Sequence, residues 1–127
     1  MQQVTNNGIF YYQFENINRL TGVSHGIFTR RAGHSDSPFD SLNIAHDIGD
    51  DNYRVEKNRD IIAGCFGSRK LVYAGQVHGD RVLVIDRKSL DRGNPGSPSP
   101  MVGDALITEL PQVGLVIQVA DCQAVLL

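Results

Sequence analysis

Asp50-Asp51-Asn52-Tyr53-Arg54-Val55-Glu56-Lys57-Asn58-Arg59-Asp60-Ile61-Ile62-Ala63-Gly64-Cys65-Phe66-Gly67 has a helical period, and the residues just after it change to a strand period. At about 100° per residue, Val55, Ile62 and Phe66 share one narrow arc, which Ile61 and Cys65 widen. Glu56, Lys57, Asp60 and Gly64 take the opposite face. The acidic residues suit the positive end of a helix, and Gly67 suits its termination. Asn58 falls inside the apolar arc and Arg59 at its edge. Such a pair needs partners or a wet cavity, because an unpaired buried polar group costs roughly 1–3 kcal/mol. An internal hydrogen-bond network and a functional pocket both satisfy that need.

Downstream, Leu71-Val72-Tyr73-Ala74-Gly75-Gln76-Val77 and Arg81-Val82-Leu83-Val84-Ile85 read as strands around His78-Gly79-Asp80, which has the look of a hairpin turn. Residues 104–108 and 113–120 read as further strands, with 123–127 continuing as a buried one beyond Asp121-Cys122. Upstream, 9–14 and 23–29 read as strands, and 30–42 as a loop dense in Gly, Ser, Asp and Pro. A polar connection of that length inside a compact domain is functional or mobile. Residues 86–103 read as a surface loop. Strands outnumber helices, so the expected class is α+β, a mixed β-sheet with a helix packed against it.

The length of 127 residues favours one domain. Twelve Lys+Arg against fourteen Asp+Glu leave a net charge of −2, which gives no general attraction to a phosphate backbone or an anionic membrane. A hydrophobic content of 41% suffices for a core. Two cysteines make no disulfide scaffold and fit a reducing compartment. The polar start lacks the layout of a secretory signal, and no apolar run reaches the roughly 18–20 residues of a membrane helix. The expected location is cytoplasmic.

There is no phosphate-cradling Gly-rich loop, no dinucleotide fingerprint and no closely spaced Cys/His set that would build a structural zinc site alone. Three reactive side chains stand at strand ends: His78, Asp121 and Cys122. Cys65, on the apolar face of the helix, reads as a small core residue. A strand that ends on Asp121-Cys122 is better explained if it opens into a pocket. His25, His34 and His46 carry no role on physical grounds.

Several motifs occur in order: His25-Gly26-Ile27-Phe28-Thr29-Arg30 with Gly33, Ser37-Pro38-Phe39-Asp40-Ser41-Leu42-Asn43, Gly49-Asp50-Asp51, Val55 with Asn58-Arg59, Gln76-Val77-His78-Gly79, Asp104-Ala105-Leu106-Ile107-Thr108, and Ala120-Asp121-Cys122 with Val125-Leu126-Leu127. Together they resemble the laccase-domain family, also called the multicopper polyphenol oxidase family. Its members are described as purine nucleoside phosphorylases with adenosine deaminase and methylthioadenosine phosphorylase activity. The resemblance runs from about Val23 to Leu127. It implies a laccase-like (cytotoxic-necrotizing-factor-like) α+β domain present as its N-terminal half. Ala32 departs from the pattern, standing where the family usually has the first Gly of a pair.

The resemblance also implies a metal site of two histidines and one cysteine. His78 matches the first His and Cys122 the Cys, and the second His belongs to a downstream motif that this sequence does not reach. Zinc is the implied ion. Asn43, Arg30 and Arg59 match positions associated with the phosphate and nucleoside pocket, with Arg59 and Asp121 as catalytic candidates. The implied substrates are purine nucleosides and phosphate. Two ligands alone should leave this chain weak in metal binding and catalysis, with a C-terminal partner piece or self-association able to restore the third. Three other readings stay open: a metal-free cysteine hydrolase with Cys122 as nucleophile, His78 as base and Asp121 as orienting group; a copper polyphenol oxidase, since two His and a Cys also suit copper; and a non-catalytic split subunit.

Overall fold

The computed structural model describes residues 1–67, 70–92 and 101–127, leaving aside the side chains of 91 and 92. Two compact units divide it, Met1–Phe66 and Gly67–Leu127. The fold is α+β, with antiparallel pairing in the first unit and parallel pairing in the second.

The first unit opens with strands β1 (Gln2–Asn6) and β2 (Ile9–Gln13), paired antiparallel with Asn6 opposite Ile9. Asn7 and Gly8 join them at φ 50° and 81°. Two positive φ values in a two-residue loop match the right-handed twist of a hairpin. β1 lies where no strand is expected from sequence: Gln2, Gln3, Thr5 and Asn6 give it no apolar face, and it pairs only along one edge. After the short helix α1 (Glu15–Asn18) comes β3. It is two residues long, Ile27–Phe28, not the full 23–29 expected, and it pairs with β2 by setting Phe28 opposite Tyr11.

Helix α2 (Asn52–Phe66) forms as its period demands. The Asp51 carboxylate accepts the N–H of Tyr53 at 2.8 Å, and its carbonyl accepts that of Val55 at 3.0 Å. Asp51 thus caps two of the amides that a helix start leaves without partners. Gly67, at φ 61°, follows the last turn. Val55 and Ile62 are buried with Ile9, Tyr11 and Leu42. Phe66 reaches the sheet, its ring edge-on to Tyr11 and Phe28 with centroids 5.4 and 5.7 Å away.

The connection over 29–51 contains no strand or helix, yet it is anchored. The buried amide of Asn58 accepts the His34 N–H at 2.7 Å, and it donates to Ser35 Oγ, Ser41 O and Asn43 O at 2.9, 3.1 and 2.7 Å. Arg59 donates to the Ile44 carbonyl through Nε and Nη2, and to Glu56. The polar pair inside the apolar arc is therefore satisfied by the loop. Gly33 lies so close to Ser41 and Leu42 that a β-carbon would overlap their backbone.

Ala32, beside it, has φ 67°. The left-handed region costs a non-glycine residue about 1–2 kcal/mol, and a glycine's freedom in the unfolded chain gives back about 0.4–1. Ala32→Gly is expected to raise stability by roughly 0.5–1 kcal/mol, seen as a higher urea midpoint at unchanged slope. A lower midpoint would contradict the strain.

The second unit contains β4 (Lys70–Tyr73), β5 (Val82–Ile85), α3 (Arg87–Arg92), β6 (Ala105–Thr108) and β7 (Val113–Val116). Here the hairpin expectation is corrected. β4 pairs parallel with β7, Val72 opposite Leu115, and β5 pairs parallel with β6, Val84 opposite Ile107. The turn at 78–80 links strands that pair with later segments rather than with each other. Buried Val72 and Ile85 mark the core of this unit.

Two further expectations change. The region 86–103 is not wholly loop: Asp86 accepts the Ser89 N–H at 2.7 Å and starts α3, while 93–100 lie outside the described residues. β7 ends at Val116, and 123–127 form no strand, with Val125, Leu126 and Leu127 exposed. Among the described residues no helix is long and apolar enough to cross a membrane.

Candidate functional site

Within the second unit, three segments meet at the Gln-Val-His-Gly motif. The Gln76 side-chain oxygen accepts the Gln118 N–H at 2.9 Å, tying the motif to the segment that leads from β7 to Cys122. The Asp104 carboxylate, just before β6, accepts the amides of Val77 at 3.0 Å, His78 at 2.8 Å and Gly79 at 2.9 Å. The Gly79 N–H, with those of His78 and Val77, holds its pKa below the usual carboxylate value. His78 has φ 58°, a backbone that side-chain-bearing residues adopt rarely.

The result is that Cys122 Sγ lies 4.0 Å from His78 Nδ1, both residues exposed. Zinc–sulfur and zinc–nitrogen bonds of about 2.3 and 2.05 Å at a tetrahedral angle would put the two atoms about 3.6 Å apart. A contraction of roughly 0.4 Å brings the pair to that spacing, so the two donors fit one shared ion. Among the described residues no group of three or more His, Cys, Asp and Glu gathers to hold a metal, so this pair is half of a tetrahedral set. Asp121, next to Cys122, is exposed, and no hydrogen bond joins it to His78 among the described residues. A Cys–His–Asp hydrolase uses such a bond to orient its base, whereas shared coordination needs only the two donors at this spacing.

The remaining expected site residues belong to the first unit. Asn43 donates to Asp50 at 2.8 Å and accepts the Ala45 N–H at 3.0 Å. That contact, with Ser35 next, keeps Asp50 below its ordinary pKa. Arg59 is 9% exposed and engaged as described above. Arg30 donates to the Asp40 carbonyl at 2.5 Å and faces the Asp40 carboxylate at 3.9 Å, with its side chain 71% exposed.

Sequence reasoning gave no role to three residues that do structural work. His25 is buried, which pushes its imidazole below the ordinary pKa, and its Nε2 accepts the Phe14 N–H at 2.7 Å. His46 bonds Asn52 and Glu56, at 2.9 and 2.6 Å. Asp104 reads from sequence as the first residue of the 104–108 strand, whereas it stands just before β6 and accepts amides. Its acceptor role could not be read, because backbone amides leave no mark on sequence.

The family described as multi-copper polyphenol oxidoreductase laccase matches residues 24–127. The chain belongs to this laccase-like family. A protein named purine nucleoside phosphorylase in Corynebacterium glutamicum is 38% identical over 104 residues, covering 80% of this chain and 40% of that relative. One of the same name in Mycobacterium tuberculosis is 36% identical over 101 residues, 78% of this chain and 38% of the relative. The solved structure of YlmD from Geobacillus stearothermophilus matches with a TM-score of 0.78 at 28% identity, over 94% of this chain and 44% of that one. A Neisseria meningitidis protein at 24% identity and TM-score 0.71 shares the fold. The laccase-like chain spans about two fifths of the length of the curated relatives it matches.

Proposed function

We propose that residues 1–127 form the N-terminal half of a single laccase-like domain. The protein acts as a zinc-dependent purine nucleoside phosphorylase with adenosine deaminase and methylthioadenosine phosphorylase activity, in the cytoplasm. The observation that carries this reading is the 4.0 Å separation of Cys122 Sγ and His78 Nδ1 in a chain of this family. These two side chains would hold the ion, with copper as the alternative because the same donors suit it. When bound, the ion supplies Lewis acidity to a reacting oxygen.

In phosphorolysis the bond from sugar to base breaks, a phosphate oxygen joins the sugar carbon, and the base leaves with a proton. Asp121, whose carboxylate is exposed, passes that proton from solvent to the leaving base. Arg30, with its guanidinium largely open to solvent, is the candidate that the family pattern offers for phosphate. Asn43 and Arg59 contribute through the loop they hold, by keeping 42–50 in one shape. A net charge of −2 agrees with small substrates rather than nucleic acid.

Two protein donors supply half a zinc shell. The chain alone is therefore expected to retain less than one equivalent of zinc and to release base from inosine and phosphate slowly. Metal analysis after dialysis against zinc, with base release followed by absorbance, measures both. Turnover unchanged by complete metal removal would overturn the zinc reading. If a second copy of the chain or a C-terminal partner piece supplies the third donor, zinc content and turnover should rise with protein concentration or on addition of that piece.

A further inference from the structure

Asp104 makes its three amide contacts in a divided way: Oδ1 accepts from Val77 and His78, and Oδ2 accepts from Gly79. Three successive N–H groups converging on one point form a nest that selects an anion, and this nest is filled by a side chain of the same unit. The carboxylate is itself fixed from below. The Asp104 N–H donates to Arg81 O at 3.0 Å, and Gly103 leaves no room for a β-carbon against Leu83 and the Arg81 carbonyl. The start of β6 and the 77–79 turn are thereby pinned together. His78 sits in the middle of this clamp in its left-handed backbone, with Nδ1 directed to Cys122.

We infer that Asp104 is a positioning residue: its carboxylate holds the 77–79 turn in the one conformation that presents the His78 imidazole to Cys122, and so sets the metal affinity of the pair. This rests on the reading of His78 and Cys122 as metal ligands. Among the described residues the Asp104 carboxylate accepts hydrogen bonds from backbone amides of the turn alone, so its influence on a metal passes through His78. Asp104→Asn preserves volume but sets an NH2 group against one edge of the nest, where it cannot accept. The turn is then released to commoner backbone conformations and the imidazole swings off its line.

Cobalt titration of the full chain tests this, because a thiolate-to-cobalt absorption band reports Cys122 directly, without turnover. Asp104→Asn is expected to weaken cobalt binding about tenfold or more, the usual cost of losing a group that orients a ligand. In a His78→Ala background the same change should alter affinity less than about twofold, since nothing is left to position. Amide exchange at 77–79 should accelerate in Asp104→Asn whether or not metal is present. An equal loss in both backgrounds would mean a general structural role, and wild-type affinity in Asp104→Asn would mean no role; either overturns the inference while the metal reading stands. Absence of the thiolate band in the wild-type chain would instead overturn the metal reading, and the inference with it. Should Asp104→Asn fail to fold, Asp104→Glu, which displaces the carboxylate by one methylene, carries the same two-background comparison with the same deciding outcomes.

Discussion

Cys122→Ser is expected to weaken zinc binding by more than roughly a hundredfold and to bring phosphate-dependent base release to background. Disturbing a group that merely orients a ligand costs about 10–100-fold, and removing a direct thiolate donor costs more. Serine keeps the size but stays protonated near neutral pH, so the pair at 4.0 Å would retain a single metal-binding donor. His78→Ala should do the same from the other side. Cys65→Ser is the control: Cys65 lies on α2, partly buried, and burial pushes its thiol above the ordinary pKa, keeping it neutral and outside metal chemistry. Competition with a chromophoric chelator measures the three affinities. A Cys122→Ser chain that binds zinc like the wild type would refute the assignment.

The second large effect falls on stability. Asn58→Ala is expected to cost about 2 kcal/mol or more, since it removes the partner of the His34 N–H and of the Ser41 and Asn43 carbonyls in part-buried bonds, where a fully buried group left unpaired costs roughly 1–3 kcal/mol. Against a total of about 5–15 kcal/mol for a small protein, this is a large fraction. Asn58→Asp should be worse. It keeps the acceptor for His34 but turns a charged oxygen toward two carbonyls and Ser35 Oγ. Urea unfolding followed by circular dichroism reads both variants, and a loss below about 1 kcal/mol in each would show that the loop finds other partners.

Helix α2 is legible in sequence because its burial has a period: Val55 and Ile62 recur where the arc requires, and Asn58 inside that arc calls for either partners or a wet cavity without deciding between them. The pairing of β4 and β5 was not legible. Their apolar residues and the short link at 78–80 satisfy a hairpin pattern, but parallel pairing with β7 and β6 depends on segments up to 43 residues away, from Lys70 to Val113. Strand β1 was missed for a different reason. Its polar residues carry no alternation, and only the Asn7-Gly8 turn signals that the chain doubles back. Motif order singled out His78 and Cys122, while Asp104 acts through backbone amides that every residue type supplies.

Asn58 has one more consequence, for the order in which the first unit is built. Loop 29–51 borrows its acceptors and donors from a residue of α2, so its shape cannot persist before that helix has formed. Folding of the long connection is therefore subordinate to the helix that follows it, and the two should melt as a single cooperative block. In native-state exchange, the His34 amide would open with the middle of α2 rather than with the chain ends.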